Sequence, residues 1–284
     1  MTLKQAYEYG QEQLKNAEID DAALDAWYLL EYVTGVSRAM YFLDMNREIS
    51  LEQETKYRSY VATRAKHVPL QHITGVQEFM GLEFLVNEHV LVPRQDTEVL
   101  VECVLEDLKS GMHILDMCTG SGCILLSLLK LCGMSNVKGV GVDISEEALK
   151  VAKQNAEKLE VNARFISSDL FCDVEGKYDV IVSNPPYIRT SVIEELKEEV
   201  KFHDPFIALD GKEDGLYFYR RIVEESPKYL IKGGKLYFEI GHDQGEDVSK
   251  LMKDAGFVDV TVKKDLAGLD RVVFGMYSVI RANS

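Results

Sequence analysis

The chain has 284 residues and carries 32 Lys+Arg against 47 Asp+Glu, a formal net charge of −15. That balance excludes a simple basic nucleic-acid binder, since a duplex footprint needs clustered cations. Hydrophobic residues make up 46% and charged residues 28%, a composition that can build a core and is unlike that of a disordered chain. No apolar run follows a basic start, and no segment reaches the roughly 18 uncharged apolar residues of a membrane span. A cytoplasmic protein with no membrane partner is expected. The five cysteines, Cys103, Cys118, Cys123, Cys132 and Cys172, are an odd set without a CxxC pair, and the histidines form no HExxH. Neither a disulfide framework nor a metal site is predicted.

Residues 3–66 read as helices. Ala23, Ala26, Trp27, Leu30 and Val33 recur at helical spacing and Gly35 follows as a stop. Ser50 with Gln53 three residues on predicts a capping box opening a further helix through Tyr57, Tyr60 and Val61. A helical domain is placed at 1–68. From 69 to 93 the pattern alternates apolar and polar residues and breaks at Gly75 and Gly81, which predicts a β-hairpin linker over 69–95. A helix over 96–109 leads into α/β alternation: strands at 113–118, 137–143, 163–167 and 178–183, with helices from 122 and over 145–159. A helix at 214–231, a strand at 235–240, a helix at 245–254 and two apolar runs at 257–262 and 271–277 complete it, the last two forming an antiparallel edge. Apolar strands alternating with amphipathic helices predict a parallel sheet covered on both faces, so 96–284 is read as one α/β domain.

The first of these strands runs through Asp116 into Cys118-Thr119-Gly120-Ser121-Gly122 and then a helix. Glycines without Cβ let a ligand approach the backbone, and the helix start presents unpaired N–H groups. A dinucleotide fingerprint fails at its third glycine, where Leu125 stands. The next strand ends in Asp143, placed to accept from both ribose hydroxyls, while Ser145 caps the following helix and leaves that carboxylate to the ligand. The third ends in Asp169-Leu170, an acceptor and an apolar wall for adenine. Glycine loop, acid, and acid with apolar neighbour on three successive strand ends is the arrangement expected for S-adenosylmethionine. Asp116 could orient backbone or face the cofactor's ammonium.

The fourth strand ends in Asn184-Pro185-Pro186-Tyr187. Two prolines cannot continue a ladder and each removes a donor, which leaves carbonyl acceptors on a rigid turn. The plain alternative is a rigid strand exit. For a planar amide or amine, the Asn184 side-chain oxygen and the Pro185 carbonyl can accept both N–H hydrogens, and Tyr187 can stack on the planar group.

These segments, with PLQHITGVQEF, LVPRQDTEVLVE, ALDGKEDGLYFYRRI, GGKLYFEIGHDQG and GLDRVV, resemble the protein-(glutamine-N5) methyltransferases of peptide chain release factors, the HemK/PrmC family. The resemblance implies a Rossmann-like class I S-adenosylmethionine-dependent methyltransferase domain behind a small all-helical substrate-recognition domain. It implies methyl transfer to the glutamine of a Gly-Gly-Gln loop in class 1 release factors, with S-adenosylhomocysteine as product. Asn184, Pro185, Pro186 and Tyr187 would hold the glutamine, while Cys118, Thr119, Gly120, Ser121, Gly122, Asp143, Leu170 and Asn184 would contact the cofactor. The chain departs from the family pattern at Cys118 (usually glycine), in PRQDTE, at Asp204-Pro205 and at Leu170 (usually aromatic). An adenine-N6 nucleic-acid methyltransferase presents the same planar N–H pair to such a turn, but the acidic charge argues against direct DNA contact. A noncatalytic module keeping the cofactor fold is the remaining rival, and a monomer is the expectation.

Overall fold

Capping boxes start two of the N-terminal helices. Thr2 and Gln5 open α1 (Leu3–Asn16), and Ser50 and Gln53 open α4 (Leu51–Arg64), each side chain satisfying the other's backbone N–H. Between them lie α2 (Ala22–Thr34), closed by Gly35 at φ 67, and α3 (Arg38–Leu43). Ala26, Trp27 and Leu30 of α2 join Leu3, Leu14, Tyr57 and Val61 in one core. Val33 is only partly buried and Ala23 is exposed, Leu29 taking a core position beside the expected stripe.

The structure, a computed structural model, describes residues 1–278. It divides into two compact units, Met1–Val76 with Lys197–His203, and Gln77–Leu196 with the described residues from Asp204 to 278. The first unit includes α5 (Leu70–Thr74), where the sequence pattern predicts β structure. Pro69 at the N-cap presets a helix start and Gly75, at φ 77, supplies the left-handed C-cap, so the two breakers frame one helical turn. The hairpin itself is only β1 (Val76–Phe79) and β2 (Leu82–Leu85).

The second unit is built on a seven-stranded sheet in the order β5-β4-β3-β6-β7-β9-β8. After α6 (Glu98–Asp107) come β3 (His113–Met117), α7 (Cys123–Leu131), β4 (Lys138–Asp143), α8 (Glu146–Lys158), β5 (Arg164–Ser167) and β6 (Tyr178–Ser183). The long connection after β6 holds α9 (Thr190–Ile193), α10 (Glu198–His203) and α11 (Phe206–Leu209), which periodicity did not reveal. Then follow α12 (Tyr217–Glu225), β7 (Leu230–Glu239), α13 (Gly245–Asp254), β8 (Phe257–Lys264) and β9 (Asp270–Tyr277). The helix expected to reach residue 231 stops early because Pro227 turns the chain.

Neighbours from β5 to β7 are parallel, and β9 pairs antiparallel with both β7 and β8, forming the expected antiparallel edge. Successive residues of β3 and β6 serve opposite cores. Leu115, Met117 and Ile181 pack with Tyr219 and Ile222 of α12, whereas Ile114, Val180 and Val182 pack with Leu100 and Val104 of α6. Both faces are therefore covered, as continuous apolar strands require. The strand order reverses between β3 and β6, and a crevice at their C-terminal ends is the usual ligand position in such sheets. Among the described residues no helix is long and apolar enough to cross a membrane.

Candidate active site

At that crevice the backbone leaves β3 through a turn held open by positive φ angles: Cys118 at 62, Gly120 at 55 and Gly122 at 79. A Cβ on Gly120 would meet nothing within 4 Å, so this glycine faces open space; on Gly122 it would come within 3.1 Å of Leu126. The turn is pinned from below by Thr119, whose hydroxyl donates to Asp116 at 2.5 Å. Asp116 is fully buried, and burial pushes its carboxyl up to about 7. Asp116 does not line the cavity, and it holds the turn through the Thr119 side chain.

Asp143, at the end of β4, accepts the Gly120 N–H through one carboxylate oxygen and the Ser145 N–H through the other, each at 2.9 Å. It therefore shapes the turn as well as lining the cavity, and is not free as the sequence suggested. Each oxygen keeps a second lone pair for a ribose hydroxyl. Burial raises its pKa against these donors. The expected cap holds: the Ser145 hydroxyl accepts from Ala148 N. Asp169, expected as an adenine acceptor, is exposed and gripped by Arg221 of α12, with N–O distances of 2.9 and 3.2 Å. Its partner comes from a helix that strand-by-strand reading could not place there. Leu170 beside it is buried, at φ 50.

Cys118, Thr119, Gly120, Ser121, Asp143, Asp169, Leu170, Asn184 and Pro186 line one cavity, whose empty space is about 1050 Å³ with the solvent at its open mouth included. Gly122, Pro185 and Tyr187 are not on its wall. The sequence reading missed Ile144, Thr97 and Phe218, which are. Ile144 directly follows the strand-end acid Asp143 in the sequence, an apolar residue outside the strand that could have been found, and it stands 54% exposed. The cavity fits S-adenosylmethionine: an open glycine for close backbone approach, a carboxylate with spare lone pairs for hydroxyls, and apolar walls from Val90, Ile144, Leu170 and Phe218 for a purine. Burial drives the Cys118 thiol far above its ordinary range and the Cys123 thiol to about 12, so neither is a thiolate nucleophile.

The Asn184-Pro185-Pro186-Tyr187 turn leaves β6 directly over this cavity. The Asn184 amide nitrogen donates to the Thr97 hydroxyl at 3.5 Å, which leaves its Oδ1 as acceptor. Tyr187 turns its hydroxyl away from the wall, to Glu239 at 3.4 Å, and its carbonyl accepts from Gln244 at 3.1 Å. Glu239, 2% exposed at the end of β7, has its carboxyl lifted by burial to about 7. Its signal in the sequence is a lone acid inside the apolar run Leu236-Tyr237-Phe238-Glu239-Ile240.

Two family models match the chain: the PrmC N-terminal domain over residues 5–75 and the methyltransferase small domain over 94–201. A solved methyltransferase from Pyrococcus furiosus, 18% identical, shares the fold with a TM-score of 0.53 over 80% of this chain and 99% of that one. The release factor glutamine methyltransferase of Caulobacter vibrioides is 41% identical over 97% of this chain and 96% of its own length. That of Clostridium acetobutylicum is 41% identical over 97% and 99%. At this identity, across both the helical and the sheet-bearing units, the chain belongs to the release factor glutamine methyltransferase family.

Proposed function

We propose that this protein methylates the side-chain amide nitrogen, N5, of the glutamine in the Gly-Gly-Gln loop of class 1 peptide chain release factors, using S-adenosylmethionine. The observation that carries the reading is the presence of Asn184 and Pro186 on the wall of the same cavity as Gly120 and Asp143, which brings an amide-binding turn and a nucleoside-binding turn to one space. When bound, S-adenosylmethionine supplies a sulfonium-activated methyl group for in-line displacement, with S-adenosylhomocysteine leaving. Gly120 and Asp143 would hold its ribose side, and Ile144 and Leu170 would hold the purine.

An amide nitrogen is a poor nucleophile because its lone pair is delocalised into the carbonyl. Asn184 Oδ1 and the Pro185 carbonyl accept its two hydrogens, fixing the plane of the amide and stabilising the positive charge that grows on nitrogen. No strong base is needed before transfer; the proton leaves to water afterwards. Tyr187 closes the turn from behind. The helical part of the chain over residues 1–68 is assigned to recognition of the protein substrate, supported by its exposed Met40, Phe42, Leu43 and Leu51, which are 52%, 65%, 78% and 80% accessible. A cytoplasmic location follows from that substrate.

Incubation with S-adenosylmethionine and a release factor, followed by peptide mass spectrometry, tests the reading: one methyl on the glutamine of the Gly-Gly-Gln peptide is expected. Methylation of adenine in nucleic acid, with the release factor untouched, would overturn it; the net charge of −15 weighs against that outcome.

A further inference from the structure

A carboxylate buried without a full set of partners is costly, because removal from water disfavours the charged form. Glu239 is such a group. The register pairs Ser183 of β6 with Phe238 of β7, so Asn184 and Glu239 leave the sheet side by side. One Glu239 oxygen accepts from the Tyr187 hydroxyl, and among the described residues the other, Oε2, has no hydrogen-bond partner. The elements around it bring few charges it can use. Arg271 of β9 is committed to Asp265 and Asp96, at 3.0 and 3.1 Å. Asp96 itself repels, the Tyr219 hydroxyl of α12 is given to the Glu239 backbone carbonyl at 2.8 Å, and Cys123 of α7 is a neutral thiol.

The remaining neighbour is Thr97, whose hydroxyl lowers the Glu239 pKa and at the same time accepts from Asn184. A hydroxyl has one hydrogen to give. When it accepts from the Asn184 amide, that hydrogen is available to the carboxylate, and a small rotation completes a circuit from Asn184 through Thr97 to Glu239 and back to Tyr187. Both ends of the turn are then tied to one acid. We infer that Glu239 is a positioning residue: by requiring Thr97 to donate to it, it fixes which end of the Asn184 amide faces the substrate and leaves Oδ1 as the acceptor. A protonated Glu239 can instead donate to Thr97. The hydroxyl is then free to donate to Asn184 Oδ1, which turns the amide and presents NH₂ to the N–H groups of the incoming glutamine. The inference rests on the amide-binding role proposed above for Asn184. Because burial lifts the Glu239 carboxyl to about 7, the switch falls near neutrality, with the competent form above that pH.

The test uses the full-length protein. In the wild type, the Glu239 carboxyl carbon and the Asn184 side-chain amide signals, followed by NMR, should titrate with a common midpoint, and the efficiency toward the release factor should fall on the acid side of it. Glu239→Gln and Thr97→Val, both close in shape to the native residues, should each remove that titration from the Asn184 signal. Each should lower kcat/KM for the acceptor by about tenfold to 10²-fold, the range of a misaligned reacting group. An Asn184 signal indifferent to the Glu239 titration, or either variant with the wild-type pH profile and efficiency, overturns the inference. A wild type that methylates no release factor but shows the shared midpoint would instead fault the proposed substrate, leaving the circuit intact.

Discussion

Replacing Asp143 by alanine is expected to loosen the cofactor turn before it weakens the ligand. The carboxylate takes one N–H from Gly120 and one from Ser145, both at 2.9 Å. Hydrogen bonds to a charged acceptor contribute roughly 1.5–3 kcal/mol each, so the pair sets an upper bound of about 3–6 kcal/mol. Two effects reduce it. Burial already disfavours the ionised side chain, so its removal relieves desolvation, and both donors are half-buried and can turn to water. A loss of about 2 kcal/mol follows, roughly 4–8 °C in Tm for a unit of this size. Without the ribose acceptors, S-adenosylmethionine should bind at least about tenfold more weakly, one lost hydrogen bond's worth. Thermal unfolding of the unliganded protein and titration calorimetry measure the two effects separately. An alanine variant with unchanged Tm would refute the pinning of Gly120; lowered Tm with unchanged affinity would make Asp143 a purely structural residue.

Asn184→Ala should cut turnover about 10²–10³-fold with little change in cofactor affinity, since Gly120 and Asp143 remain; near-native turnover at saturating substrates would reduce the turn to a strand exit. Asp116 binds its proton more tightly folded than unfolded, its carboxyl rising from 3.8 to about 7. The stability this confers is present at low pH and drains away as pH climbs from about 4 through about 7. Asp116→Asn, still able to accept from Thr119, should therefore be more stable than wild type at pH 8, by up to a few kcal/mol, and no more stable at pH 4; equal denaturation midpoints at both pH values would count against it. In the helical unit, Arg64 is 6% exposed and bonds Asp25 and Glu199 at 2.7 Å each. Arg64→Ala should cost about 3–5 kcal/mol by stranding Asp25, read as early melting of helical circular dichroism, and a change below 1 kcal/mol would show that water reaches that carboxylate.

Whatever is decided within a few residues of chain was legible along the sequence. Period 3.6 and continuous apolar runs marked the strands of the sheet and the longer helices but not α5 or α9 to α11, Ser50 with Gln53 and Ser145 marked helix starts, and the glycines after β3 and the prolines after β6 marked turns that sterics impose on any fold. Their common destination followed from one rule, that strand ends of a parallel sheet open on the same edge. Tertiary structure alone decided who meets whom on that edge. Asp169 is taken by Arg221 because α12 crosses beside β5's loop, Tyr187 turns to Glu239 because β7 lies next to β6, and Thr97 reaches Asn184 from a turn ahead of the whole sheet. Residues 197–203 likewise pack with the helical unit although they follow β6 in sequence. Such pairings depend on strand order and crossovers, which are settled by burying both faces of the sheet at once, and no local pattern along the chain encodes them.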